Sequence, residues 1–241
     1  MPFAYGLSHV GRRQNNEDAF CIAPHLGLYA VADGMGGYHG GEVASRLVVE
    51  SLLRFFEETT VITDGRAAAS RLDGAIRSAA TSVAREAEGE LAEMGSTVAA
   101  VWLKGSNLVV AHVGDSRVYR LRNGKLEQLT RDHSVYAELE AAGKWHVIHA
   151  LRGQIEHMVT RCIAADIEPQ AEIQLDDARP GDLYLLCSDG LTDVLSNFEI
   201  EQILKTHGAD GSSDALVRHA YAAGSTDNIT AVVVGVPTTE A

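Results

Sequence analysis

At 241 residues, 46% of them apolar, the chain is long enough to bury the core of one large domain. A net charge of −13 argues against nucleic acid or an anionic membrane as the partner. No apolar run reaches the roughly 18 residues of a membrane span, and the N-terminus lacks a basic-then-apolar leader.

Phe3 to Val10 reads as a first strand. A polar loop, Gly11 to Asp18, follows and carries Arg12, Arg13, Glu17 and Asp18. Ala19 to Ile22 resumes strand character, and Pro24 with Gly27 marks a turn. The next apolar strand, Leu28 to Ala32, runs straight into Asp33-Gly34-Met35-Gly36-Gly37. A carboxylate at the mouth of a buried strand is costly without a counter-charge. The glycines let backbone carbonyls close in on whatever supplies it. Two amphipathic helices are expected next, Glu42 to Glu57 and Ala67 to Leu91, joined by a Thr-rich linker ending in Asp64-Gly65.

The middle reads as antiparallel sheet. Thr97 to Leu103 and Asn107 to Val113 flank Gly105-Ser106. Arg117 to Arg122 and Lys125 to Leu129 flank Asn123-Gly124, a type I′ hairpin signal. Asp115 then lies in the tight link Gly114-Asp115-Ser116, and His112, inside a strand, reads as a core histidine. Residues 132–170 are the least regular, with one short helix over Ser134 to Ala142. The stretch 143–160 has the look of a functional flap. Its histidines, His146, His149 and His157, have no partners at zinc spacing. Strand Leu183 to Ser188 leads into Asp189-Gly190. A helix over Phe198 to Thr206 carries a capping box, Ser196 with Glu199, and stops at Gly208. A further helix spans Asp214 to Ala223. Asp227-Asn228 precedes the last strand, Ile229 to Val236. With no repeat or linker, residues 1–241 read as one domain. The three cysteines, Cys21, Cys162 and Cys187, are odd in number and lack C-x-x-C spacing. They are expected to be reduced, in a cytoplasmic protein, with Cys187 a core residue.

One Asp-Gly site alone is a turn. Here four apolar strands carry an aspartate at one end: Asp33, Asp115, Asp189 and Asp227. If those ends converge, the crowded carboxylates need cations, and an all-oxygen site suits magnesium or manganese.

These residues resemble the metal-dependent protein phosphatases of type 2C, the PPM family, in its bacterial branch. The likeness runs in order through Arg13-x-x-Asn16-Glu17-Asp18, Val31-Ala32-Asp33-Gly34-Met35-Gly36-Gly37, Gly95-Ser96-Thr97, Val113-Gly114-Asp115-Ser116-Arg117, Leu129-Thr130-Arg131-Asp132-His133-Ser134, Cys187-Ser188-Asp189-Gly190-Leu191 and Asp227-Asn228-Ile229-Thr230. The resemblance implies an α+β fold, a four-layer αββα sandwich of two antiparallel sheets, each covered by a helical pair. It implies two or three Mn²⁺ or Mg²⁺ ions. Asp33 would bridge two of them, the Gly34 carbonyl would bind the first, and Asp189 and Asp227 the second. Glu17 and Asp18 would hold metal-bound waters, Asp115 with Asp189 a third, weaker ion, and Arg13 the substrate phosphate.

The implied reaction is hydrolysis of phosphoserine or phosphothreonine in proteins by direct attack of a dimetal-bridging water or hydroxide. The implied partners are a Ser/Thr kinase and its phosphorylated substrates, or a phosphorylated anti-sigma-factor antagonist, and the protein itself is expected to be a monomer. The competing readings are a sensor or binding module on the same fold with little turnover, and a nuclease, which the acidic charge disfavours. Two departures stand out. Met35 takes the place where some relatives carry a proton-donating histidine, which leaves His39 or a metal-bound water for that task. The segment Trp145 to His157 also departs from the usual flap sequence, although Thr160-Arg161 resembles its end.

Overall fold

The structure, a computed structural model, describes residues 2–36, 40–58, 62 and 64–238. Strands β1 (Phe3–His9), β2 (Asp18–Ala23) and β3 (Leu28–Met35) precede helices α1 (Gly40–Glu57) and α2 (Gly65–Glu86). Five strands follow: β4 (Gly95–Ser96), β5 (Val98–Lys104), β6 (Asn107–Val113), β7 (Arg117–Arg122) and β8 (Lys125–Gln128). Short helices α3 (Val135–Ala141) and α4 (Trp145–Ala150) lead to β9 (Ile163–Ala164), β10 (Glu172–Asp177) and β11 (Leu183–Cys187). Helices α5 (Asp189–Thr192) and α6 (Asn197–Ala223) and strand β12 (Ile229–Gly235) complete the chain. The Thr-rich linker, at residues 59–61 and 63, falls outside the described residues, as do Gly37, Tyr38 and His39, the alternative to a metal-bound water as proton donor.

All strand pairings are antiparallel, in two sheets. One sheet runs β1-β12-β11-β7-β8; the other runs β10-β6-β5-β3-β4-β9, with β2 added beside β3. The unbroken apolar runs in β5 and β12 are explained by cover on both faces. Successive side chains on a strand point to opposite faces. Tyr29, Val31, Ala99 and Val101 therefore meet Tyr184, Leu186, Val232 and Val234 between the sheets. Their neighbours Leu28, Ala30, Ala100 and Trp102 pack outward under α1 and α2. Leu185, Cys187, Ala231 and Val233 pack outward under α6. Three apolar layers thus hold four layers of structure, each buried Leu or Val contributing on the order of 1.5–3 kcal/mol.

The departures from the sequence reading have local causes. Helix α2 ends at Glu86 rather than Leu91, because Gly89 takes a positive φ of 59° and a 3₁₀ turn follows over Gly89–Leu91. The stop expected at Gly208 is a kink (φ 64°), and the helix resumes directly instead of at Asp214. The capping box of Ser196 and Glu199 forms as read. Strand β10 was not visible in the sequence. Its residues, E-I-Q-L-D-D, are mostly half or fully exposed on a sheet edge, where no apolar pattern is required. Helix α4 is a single short turn with only Ile148 buried, too little to show a period. The most consequential shift is at β2 and β3. The pairing runs through Asp18 and Asp33, which are register partners, so neither is a loop residue. All three cysteines are unpaired, with Cys21 and Cys187 buried. Among the described residues, no helix is long and apolar enough to cross a membrane.

Candidate active site

The β2–β3 pairing places Asp18 against Asp33 at one end of the sandwich. Three other aspartates reach the same end by separate routes. Asp115 sits in the β6–β7 turn, Asp189 begins α5 directly after β11, and Asp227 stands just before β12. A cavity of about 300 Å³ opens there. Arg13, Glu17, Asp33, Gly34, Asp115, Asp189 and Asp227 line it, together with Met35, Gly36, Thr97, His157 and Val159. Asp18 lies behind this wall, with Oδ2 accepting from Ser188 Oγ (2.8 Å) and Thr230 Oγ1 (2.6 Å). All eight residues singled out in the sequence are thus gathered in one place.

Such crowding is unfavourable without cations. Burial, and then the charges of Asp18, Asp189, Asp115 and Asp227, push the Asp33 carboxyl well above its ordinary range. Burial raises Asp18 to about 7 against the lowering effect of its two hydroxyl partners, and the charges of Asp189 and Asp227 add to the rise. Asp115 is likewise raised to about 7, by burial and then by Asp189. Asp189 is raised by burial and by Asp227. Asp18 Oδ1 and Asp189 Oδ1 are buried without a hydrogen-bond partner. Orphaned hard oxygens, in an acidic set with no thiolate, are the donors that magnesium or manganese takes. The residues present fit a cluster of divalent cations.

The backbone is shaped for the same purpose. Gly34 N–H donates to Glu17 O (3.0 Å), and a Cβ on Gly34 would collide with the Gly41 carbonyl, so only glycine lets α1 start this close to β3. Asn228 ties the opposite rim. Its Nδ2 donates to Val10 O (2.8 Å) and Asn15 O (2.9 Å), and its Oδ1 accepts from Glu17 N–H (2.8 Å). Thr97 Oγ1 accepts from Asp33 N–H (3.0 Å) and shares a hydrogen bond with Ser116 Oγ (2.7 Å). Arg117 grips Asp132 through Nε and Nη2 (2.6 Å at the shortest) and thereby anchors the strand that leaves Asp115. These side chains sat in the quoted motifs, but nothing in their spacing revealed which backbone groups they hold.

Arg13 stands at the rim, more than half exposed, with Nη2 2.6 Å from Asp227 Oδ2. A larger cavity of about 590 Å³ adjoins it, lined also by Glu156, His157, Asp189 and Asp193. His157 and Asp193 are the residues the sequence reading did not place here. His157 Nδ1 lies 3.4 Å from Asp193 Oδ2 and 4.0 Å from Asp189 Oδ2. The three flap histidines do not gather into a zinc site among the described residues; only His157 reaches the acidic cavity. His112 is buried, with Nε2 on the Arg131 carbonyl (2.8 Å), in keeping with its reading as a core residue.

Comparison with known proteins gives one consistent answer. The family described as protein phosphatase 2C matches residues 5–219. The serine/threonine protein phosphatase PstP of Mycobacterium tuberculosis is 36% identical over 227 residues, covering 93% of this chain but 43% of PstP. This chain therefore spans under half of that relative's length. The serine/threonine phosphatase stp of Listeria monocytogenes is 33% identical over 228 residues, covering 92% of this chain and 90% of stp. Among solved structures, the S. agalactiae serine/threonine phosphatase superimposes with a TM-score of 0.90 at 30% identity, over 98% of this chain and all of that one. The catalytic domain of PstP in complex with two manganese ions does so with a TM-score of 0.84 at 34% identity, over 98% of each chain.

Proposed function

Because the chain belongs to the protein phosphatase 2C family, we propose that it hydrolyses phosphoserine and phosphothreonine in proteins, using two or three bound Mn²⁺ or Mg²⁺ ions. The observation that carries this reading is the ring of raised, partly orphaned carboxylates around a cavity with one arginine at its rim. Asp33 and the Gly34 carbonyl would hold one ion. Asp33, Asp189 and Asp227 would hold a second, and Asp115 with Asp189 a third. Glu17 and Asp18 would support them through intervening water. When bound, the ions supply Lewis acidity that activates water at neutral pH and draws charge off the phosphoryl oxygens.

The chain's own groups bind and orient. The Arg13 fork offers the phosphoryl oxygens two N–H donors, exchanging its Asp227 partner for substrate. Thr97 and Asn228 fix the backbone on which Asp33 and Glu17 stand, so the donors need little rearrangement when the cations enter. Direct attack by water on phosphorus needs no nucleophilic side chain. Cys187, the cysteine nearest the site in sequence, is buried, and burial pushes its thiol up to about 12. We read the chain as a monomer that opposes a Ser/Thr kinase in the cytoplasm; the unpaired Cys21, Cys162 and Cys187 are in keeping with a reducing compartment.

The test is hydrolysis of p-nitrophenyl phosphate and of a phosphothreonine peptide, with Mn²⁺ and then with EDTA. Mn²⁺-dependent turnover is expected. Asp33→Ala and Asp189→Ala should each lower kcat by at least about a thousandfold, or about 4 kcal/mol of barrier, with native circular dichroism. Full Mn²⁺-dependent turnover in either variant overturns the site. No turnover in wild type, with Mn²⁺ bound, leaves a binding module.

A further inference from the structure

His133 stands where three segments cross. Its N–H donates to the Gly114 carbonyl (3.0 Å), and its carbonyl accepts from Thr160 N–H (2.8 Å), on the return leg of the flap. The ring adds a second bond to the same glycine: Gly114 N–H donates to His133 Nδ1 at 3.1 Å. On the far side of the ring, Nε2 lies 3.2 Å from Glu172 Oε1 on β10. Arg161 Nη1 donates to that same oxygen (3.3 Å) and to the Gln170 carbonyl (3.5 Å), and it lies 3.2 Å from Nε2. His112 stacks on the ring, centroids 4.5 Å apart and planes 18° from parallel.

This arrangement dictates a tautomer. A neutral imidazole has one protonated and one bare nitrogen, and the nitrogen that faces the fixed backbone N–H of Gly114 must be the bare one, whereas Arg161 Nη1 beside Nε2 has the Glu172 and Gln170 oxygens for its protons. Nδ1 is bare, so the proton is on Nε2, pointing at Glu172. Burial, then the neighbouring His112 and Arg161, lowers His133 to about 4, which keeps the ring neutral at physiological pH. The ligand atoms of His112, His133 and Glu172 lie within 4.8 Å of one another, yet they do not form a metal site. Neither His133 nitrogen has a lone pair to spare, and the Arg161 cation already occupies Glu172.

Gly114 is a sensitive point. Its φ is +103°, and a Cβ there would sit 2.6 Å from Thr97 Cγ2. Two residues on, Ser116 is bonded to Thr97, which accepts from Asp33 N–H. The turn carrying Asp115 is thus pinned at Gly114 by His133 and at Ser116 by Thr97. We propose that His133 is a positioning residue for Asp115: its Nδ1 fixes the Gly114–Ser116 turn, and Glu172 sets the tautomer that lets it do so.

The experiment is Mn²⁺ titration calorimetry on the whole chain, with p-nitrophenyl phosphate turnover beside it. The activity arm rests on the phosphatase reading; the binding arm does not, so the two can fail separately. Asparagine places an oxygen where Nδ1 was but cannot reach Glu172. His133→Ala should weaken the weakest-bound Mn²⁺ and lower kcat, each roughly tenfold, with KM within about twofold. His133→Asn should keep both within about threefold. Glu172→Ala should weaken that Mn²⁺ about threefold in the wild-type background and leave it unchanged in the His133→Asn background, where no tautomer needs setting. Should His133→Ala fail to fold, the Glu172→Ala comparison in the two backgrounds decides alone. Three results overturn the proposal: a His133→Ala isotherm equal to wild type, His133→Asn as impaired as His133→Ala, or Glu172→Ala equally harmful in both backgrounds.

Discussion

Consider Asp18→Asn in protein stripped of cations with EDTA. In the folded chain the Asp18 carboxyl is raised from 3.8 to about 7. At pH 5 it is protonated when folded and ionised when unfolded. The folded state therefore binds the extra proton. Stability from this group is fully present below pH 3.8 and is lost as pH rises through 7. At 1.36 kcal/mol per pH unit, the whole loss is about 4 kcal/mol, of which about 3 kcal/mol falls between pH 5 and pH 8. For a chain of this size that is a drop in Tm of roughly 6–12 °C. Asp33, Asp115 and Asp189 shift in the same direction, so the cation-free wild type should be steeply less stable at pH 8 than at pH 5.

Asparagine removes the Asp18 share alone. Its oxygen still accepts from Ser188 and Thr230, and its neutral NH₂ replaces the orphaned Oδ1 and ends the repulsion with Asp189 and Asp227. Scanning calorimetry in EDTA should then show the variant more stable than wild type at pH 8 and flatter across pH 5–8. Added Mn²⁺ should raise the wild-type Tm at pH 8 by more than that of the variant, because ligand that binds only the folded state stabilises it in proportion to its affinity. Parallel pH curves for the two proteins in EDTA, or a variant less stable than wild type at pH 8, would refute the reasoning.

Two further expectations rest on single side chains. Arg13→Ala should raise KM for p-nitrophenyl phosphate about tenfold or more, with kcat within about threefold, since a charge-assisted bond to phosphate is worth roughly 1.5–3 kcal/mol; steady-state kinetics with an unchanged KM would remove Arg13 from phosphate binding. Asn228→Asp keeps the acceptor for Glu17 N–H but sets a carboxylate against the Val10 and Asn15 carbonyls. It should lower stability in Mn²⁺ by about 3 kcal/mol, and a denaturation midpoint equal to wild type would contradict that.

The sequence reading was strongest where burial forces a pattern. Strands β3, β6, β11 and β12 are enclosed on both faces and so are written in largely apolar runs, each with an aspartate close to one end. That repetition singled out Asp33, Asp115, Asp189 and Asp227. The role of Arg13 needed the family resemblance, because an arginine in a polar loop is ordinary. Strand β10 and helix α4 were invisible because little of either is buried, and nothing local selects their residues. His157 was invisible for a different reason. Its position beside Asp193 depends on how the 143–160 segment folds back, which its neighbours in sequence do not encode.

The motif residues that are not acidic now have a physical account. Three of the strand ends that deliver a carboxylate also deliver a short polar side chain, and that side chain holds a different strand end. Ser188, next to Asp189, bonds Asp18; Asn228, next to Asp227, holds the loop carrying Glu17; Ser116, next to Asp115, bonds Thr97, which holds Asp33. The acids repel one another, so a site assembled from separate strands would splay apart when cations leave unless each strand were tied to its neighbours. Ties of this kind must sit within a residue or two of the carboxylate to fix it. This is why Asp189, Asp227 and Asp115 stand in Ser-Asp, Asp-Asn and Asp-Ser pairs, while Asp33, between Ala32 and Gly34, is held by Thr97 from another strand. It also explains why His133, which reaches the same network from seventeen residues beyond Ser116, could not be assigned from spacing: it acts on Gly114 across the sheet end, through one ring nitrogen whose bareness a third segment enforces.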